Sequence, residues 1–137
     1  MDSNIKRSII LENYEDAKNR GIPDDSGYEK INSNNVSCID NIDIYVKIED
    51  NTIKDIKFQG EACVIAISST SIHSDLLIDK NIEDAKKIID NYFKMIEEEE
   101  YDKEILKDAI VYDDIYKQPS RKTCATLFAR GISKIIK

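Results

Sequence analysis

Ile42-Asp43-Ile44-Tyr45-Val46-Lys47-Ile48, then Glu49-Asp50-Asn51-Thr52, then Ile53-Lys54-Asp55-Ile56-Lys57-Phe58 is the stretch that decides the fold. Ile42, Ile44, Val46 and Ile48 alternate with Asp43, Tyr45 and Lys47, the two-residue period of a strand with one buried face. Glu49 to Thr52 reads as a turn, and Ile53 to Phe58 as the returning arm of an antiparallel hairpin. Gly60 breaks that arm just before Cys63.

Helical patterns surround the hairpin. Ser3 to Arg20 reads as an opening helix, with Ile5, Ile9, Ile10, Tyr14 and Ala17 near helical spacing and Gly21 and Pro23 ending it. Asp24 to Ser37 is polar and rich in Gly, Asn and Ser, a loop with room for one short strand ahead of Cys38. Cys63 to Ile78 reads as one helix, although Ser68-Ser69-Thr70-Ser71 is a poor helix former and implies close packing against another element. Asn81 is a suitable N-cap for a helix from Ile82 to Ile96, whose apolar stripe is Ala85, Ile88, Ile89, Tyr92, Phe93 and Ile96. The acidic run Glu97 to Glu100 follows, then a short helix around Lys103 to Ile110. Pro119 precedes a last helix, Ser120 to Ile136, with Cys124, Phe128, Gly131, Ile132 and Ile135 facing inward. The fold class is α+β: a small antiparallel sheet of about three strands packed against several helices.

The 137 residues suit a single domain spanning 1–137, with 41% apolar and 34% charged residues. A net charge of -7 makes nucleic acid an unsuitable partner, because phosphate binding needs a basic surface. The longest uninterrupted apolar run, Ala62 to Ile67, falls well short of the roughly 20 residues that span a bilayer, so no membrane role is expected. An odd cysteine count with no secretory pattern points to a reducing cytoplasm. Charge is uneven along the chain: from Ile115 onward stand Lys117, Arg121, Lys122, Arg130, Lys134 and Lys137 with no Asp or Glu. That is either an ordinary solvated helix face or a setting that stabilises a Cys124 thiolate and attracts an acidic partner.

The three cysteines carry the chemistry. Cys63 follows a strand and a glycine at a helix start, and Cys124 falls in the first turn or so after Pro119. Both are thereby expected near unpaired helix N–H groups and the positive end of a dipole, which favour thiolate. Cys38 lies at a loop-to-strand junction with Asp40 two positions on. Three thiolates and one carboxylate satisfy a tetrahedral metal with a net site charge of about -2. An iron–sulfur cluster takes similar donors. The spacing is no zinc-knuckle pattern, and three separate core thiols are the plain alternative, since free cysteine is commonly buried. The lone histidine, His73, lies ten positions after Cys63, roughly 15 Å along a continuous helix and too far to share its metal. A Cys–His dyad would need His73 to meet Cys38 or Cys124 instead.

Three segments together resemble the IscU/SufU (NifU N-terminal-like) family of iron–sulfur cluster assembly proteins. Asn35-Val36-Ser37-Cys38-Ile39-Asp40 is similar to the family's Asn-Pro-x-Cys-Gly-Asp. Gly60-Glu61-Ala62-Cys63-Val64-Ile65-Ala66-Ile67-Ser68-Ser69-Thr70-Ser71 is similar to Gly-x-Gly-Cys-x-Ile-x-x-Ala-Ser-x-Ser. Pro119-Ser120-Arg121-Lys122-Thr123-Cys124-Ala125-Thr126-Leu127 is similar to Pro-x-Arg-x-Lys-Cys-Ala-Thr-Leu. The long interval between Cys63 and Cys124, and Thr123 where the IscU type carries histidine, place the resemblance nearest the SufU-like branch.

The resemblance implies a SufE/NifU-like fold and zinc held by Cys38, Asp40, Cys63 and Cys124. It implies sulfur transfer from a SufS-like cysteine desulfurase, with Cys38 as nucleophile and Arg121 stabilising the developing anion or orienting the partner. The recipients would be downstream iron–sulfur assembly or acceptor proteins. A scaffold holding iron as a [2Fe–2S] cluster on Cys38, Cys63 and Cys124, or a structural zinc adaptor, are the alternatives the same ligands allow. Val36 and Ile39 replace the usual Pro and Gly, Ala62 a Gly, Ser68 an Ala and Thr123 a Lys, all of which leave the ligand set intact.

Overall fold

The hairpin turns on Asp50 and Asn51, both at positive φ (51° and 62°), the left-handed pair of a two-residue type I′ loop that Asp and Asn tolerate. It joins β2 (Asn41–Glu49) to β3 (Thr52–Glu61), and the computed structural model describes residues 1–35 and 39–137. Ile42, Ile44, Val46, Ile53, Ile56 and Phe58 are fully buried, as the alternation requires. Ile53 and Ile56 break the two-residue period, yet both face inward. A bulge reconciles them: Lys47 pairs with Asp55 but Ile48 pairs with Ile53, so Lys54 is the extra residue. β1 (Glu29–Asn34) is the short strand expected before Cys38, and it pairs antiparallel with β2 to give the order β1-β2-β3.

α2 (Val64–Leu77) is the central helix, packed by α1 (Ser3–Glu15), α5 (Pro119–Ala125), α6 (Leu127–Ile136) and β3. Its hydroxyl run is buried and fully bonded. Ser68 Oγ meets Tyr112 Oη at 2.5 Å, Ser69 Oγ donates to Ala125 O at 2.9 Å, and Thr70 Oγ1 to Ala66 O at 2.7 Å. Ser71 Oγ donates to Asn13 Oδ1 at 2.8 Å. Close packing thus outweighs weak propensity, since each small polar group has a partner in the core.

α1 stops five residues short of the expected Arg20. The chain leaves the helix so that Asn19 and Gly21 can bond the edge of β3: Phe58 N–H donates to Asn19 O at 3.1 Å and Gly21 N–H to Phe58 O at 2.7 Å. The sheet edge is covered in this way. α3 (Ile82–Ile96) is capped by Asn81, whose Oδ1 accepts from Asp84 N–H at 2.8 Å, as its sequence predicts. The helix expected around Lys103 to Ile110 is instead α4 (Lys103–Leu106) followed by 3₁₀ segments at Lys107–Tyr112 and Ile115–Lys117.

The last predicted helix is two helices, broken at Thr126 (φ -105°, ψ 7°). Two side-chain donors take the Ala125 carbonyl at the break, Tyr92 Oη at 2.8 Å and Ser69 Oγ at 2.9 Å. Thr126 Oγ1 bonds back to Lys122 O at 2.8 Å, a habit of threonine that bends helices. Beyond the break, Gly131 lets α6 lie on the sheet. A Cβ there would stand 2.7 Å from Ile44 Cδ1 and 3.0 Å from Ser33 Cβ.

His73 is wholly buried beside Tyr92 and Phe128, with Nδ1 2.8 Å from Ser69 O. A carbonyl only accepts, so Nδ1 carries the proton and Nε2 has no hydrogen-bond partner among the described residues. Burial lowers the pKa of His73 to about 4, against a backbone bond that raises it. The unfolded chain binds a proton near pH 6.5 and the folded chain only near 4. The contribution to stability is therefore present above pH 6.5 and lost as pH falls toward 4, by on the order of 3 kcal/mol. Urea unfolding at pH 7 and pH 4.5 checks this: His73→Leu should lose less stability between the two than wild type. An equal loss in both proteins contradicts the assignment. No helix among the described residues is long and apolar enough to cross a membrane.

Candidate metal centre

Asp40 stands at the head of β2, Cys63 two residues past the end of β3, and Cys124 on α5. The hairpin ends Asn41 and Glu61 are paired across the sheet, so the first two ligand segments leave it side by side. α2 packs against α5 and brings Cys124 to the same point. Ligand atoms of Asp40, Cys63 and Cys124 lie within 4.8 Å of one another. Asp40 is 1% exposed and Cys124 6%, while Cys63 is half-buried and opens the group toward solvent.

Cys63 is the N-cap residue of α2 (φ -69°, ψ 170°) and makes no side-chain cap bond there. Its own N–H donates to Asp40 Oδ1 at 2.8 Å, and its Sγ lies 3.7 Å from Asp40 Oδ2. The expected helix-start position for this thiol is therefore realised. Cys124 differs from expectation. It is the sixth residue of the short helix Pro119–Ala125, in the last turn rather than the first, because the chain breaks at Thr126. Its own helix therefore presents it no positive dipole end. Burial foremost, then the Cys63 thiol and the Asp40 carboxylate, push the Cys124 thiol well above the ordinary range.

Two thiols and a carboxylate so close repel one another when ionised and call for a cation. A tetrahedral zinc with Zn–S bonds of about 2.3 Å and Zn–O near 2.0 Å holds its donors about 3.5–3.8 Å apart. The 3.7 Å separation of Cys63 Sγ and Asp40 Oδ2 falls in that range. The residues present fit a metal ion.

Cys38 lies outside the described residues, as do Val36 and Ser37. Arg121 is exposed and lines an open groove of about 520 Å³ with Tyr14, Cys63, Ile65, Ile115 and Gln118. Lys122, expected to add charge beside Cys124, extends to Glu97 at 3.4 Å. His73 is buried in the core and is not one of the grouped donors. Two residues to which the sequence assigned no individual role reach the site. Asn35 Nδ2 donates to Asp40 Oδ2 at 3.1 Å, and the Arg130 guanidinium donates to Asn35 Oδ1 at 2.8 Å. Arg130 stands seven positions after Thr123, two helical turns, and it donates to the Thr123 carbonyl at 2.7 Å. Its place in the basic C-terminal stretch was the sequence signal that pointed to it.

Known proteins resemble this chain over most of its length. The profile of the "NifU-like N terminal domain" matches residues 5–125. The zinc-dependent sulfurtransferase SufU of Bacillus subtilis is 32% identical over 131 residues, which is 95% of this chain and 88% of that protein. The iron–sulfur cluster assembly scaffold protein IscU of Thermotoga maritima is 33% identical, over 93% of this chain and 89% of its own. The crystal structure of a candidate iron–sulfur cluster assembly scaffold for the SUF system from Fervidobacterium islandicum superposes with a TM-score of 0.84. It is 26% identical, over 99% of this chain and all of the other.

Proposed function

The chain belongs to the NifU-like N-terminal domain family, and from that membership we propose that it serves iron–sulfur cluster assembly as a zinc-dependent acceptor of sulfur from a cysteine desulfurase. The observation that carries the reading is the convergence of Asp40, Cys63 and Cys124 at the head of α2, with donor spacing suited to zinc. Cys38, two positions before Asp40 in sequence, supplies the fourth ligand in this proposal. When bound, zinc supplies the positive charge that keeps the site's thiols ionised at neutral pH.

The chain's own residues do the rest. The Cys38 thiolate attacks the outer, sulfane sulfur of the desulfurase's persulfide. A new S–S bond forms on Cys38 as the old one breaks, and the donor cysteine departs as thiolate with the electron pair. In this reading Arg121, which lines the same groove as Cys63, holds that departing anion. In this reading the partner docks at the groove beside Cys63, and a downstream iron–sulfur assembly protein then receives the sulfur. The similarity to the Thermotoga scaffold supports a second reading in which the same ligands hold a [2Fe–2S] cluster. Thr123, where the IscU type has histidine, favours the zinc reading.

A desulfurase assay tests the proposal. Zinc-loaded protein should raise sulfide or persulfide turnover at least tenfold over desulfurase alone, and Cys38→Ser should abolish the increase. Unchanged turnover removes the acceptor role. Anaerobic reconstitution that yields a stable coloured cluster in place of zinc would favour the scaffold.

A further inference from the structure

Asp40 is oriented from both sides. Oδ1 takes the Cys63 N–H, and Oδ2 takes the Asn35 amide at 3.1 Å while still facing the Cys63 sulfur. Asn35 is buried, and its backbone N–H donates to Asp40 O at 3.0 Å, closing the loop between them. Its amide has one allowed orientation: arginine only donates, so the oxygen must face Arg130 and the NH₂ must face Asp40. Arg130 is anchored in turn by Thr123 O at 2.7 Å and Thr126 Oγ1 at 3.2 Å. Thr123 precedes Cys124. A continuous series of bonds therefore runs from the Cys124 segment through Arg130 and Asn35 to Asp40 and on to the Cys63 N–H.

We propose that Asn35 and Arg130 are positioning residues of the metal centre, fixing the Asp40 carboxylate and bringing a permanent positive charge against the anionic donor set. The proposal rests on the ligand assignment above. With the amide in place, the carboxylate cannot rotate toward solvent without breaking a buried bond. Arg130 polarises that amide and shares its charge with the site through it, which strengthens the bond to Asp40. Removing hydrogen-bond partners of metal ligands typically costs about 10- to 100-fold in metal affinity.

Zinc affinity, measured by competition with a chromophoric chelator, tests this with cobalt(II) absorption as a second readout. Asn35→Ala should weaken zinc about 10- to 100-fold and alter the cobalt bands, and Arg130→Gln should weaken it by about tenfold. If Asn35 acts through Asp40, adding Asn35→Ala to Asp40→Ala should cost nothing further, whereas a merely structural residue would add its full loss. Loss in Asp40→Ala with affinity within twofold of wild type in Asn35→Ala and Arg130→Gln overturns this proposal alone. Additive losses overturn it as well. Unchanged affinity in Asp40→Ala overturns the ligand assignment and this proposal with it. Should Asn35→Ala fail to fold, Arg130→Gln alone and combined with Asp40→Ala reads the same series of bonds from α6.

Discussion

Cys124→Ala should abolish stoichiometric metal binding and bring the melting temperature of the metal-supplied protein down to that of chelator-treated wild type. Cys124 is 6% exposed and lies on α5, the only described ligand segment outside the sheet–α2 junction. With a metal bound as proposed, its thiol would tie the C-terminal helices to the hairpin ends. Without it the Asp40 and Cys63 donors remain close together, but one coordination position is lost in a buried place that water fills poorly. A ligand that binds only the folded state stabilises it by about 4 kcal/mol at a thousandfold excess over its Kd, and the variant forfeits all of that. In chelator the substitution itself should be mild, because alanine removes one sulfur and little volume. Calorimetry with and without chelator, alongside metal analysis, separates the two contributions. A variant that retains one metal ion per chain and the wild-type chelator response would show that Cys124 is no ligand.

Gly60→Ala should destabilise the fold by about 3 kcal/mol and weaken metal binding in the molecules that remain folded. Gly60 sits at φ +139°, where side chains are rarely accommodated, and it pairs with Ile42 across the sheet. A Cβ there would lie 2.2 Å from Asn41 O and 2.9 Å from Ile42 Cα. Both are backbone atoms that no rotamer change can move. β2 must shift away from β3 at the end where Asp40 and Cys63 emerge, so stability and the site fall together. Gly27→Ala is the matched control. Gly27 also has positive φ (+101°), but its Cβ would meet nothing closer than Lys47 Cε at 4.0 Å. It carries the conformational cost without the clash, about 1 kcal/mol. Equal losses for Gly60→Ala and Gly27→Ala in urea titrations would contradict the close-approach account.

The fold was legible wherever a local pattern had a single physical solution. Alternation from Ile42 to Ile48 has one arrangement that turns all four apolar residues toward the core, and the polar Glu49–Thr52 turn leaves the chain little choice but to return. The helix from Ile82 to Ile96 and its Asn81 cap were equally plain. Boundaries failed where distant groups compete for the backbone. The opening helix yields Asn19 and Gly21 to the edge of β3, and the last helix surrenders the Ala125 carbonyl to Tyr92 and Ser69. Neither competitor is near in sequence, so periodicity along the chain carries no trace of it.

By itself the sequence determined the α+β class, the motif residues and the chemical type of the donors, because strand period, turn chemistry and thiol reactivity are properties of short segments. Tertiary structure alone decided that Asp40, Cys63 and Cys124 meet within 4.8 Å, that Cys124 lies in the last turn of a helix instead of the first, and that Arg130 bonds Asn35 while Asn35 bonds the carboxylate. The physical reason is that bonds between remote segments depend on where packing places whole elements. Asn35 and Arg130 are 95 positions apart, and their contact exists only because α6 lies against β1 through Gly131 and Ser33.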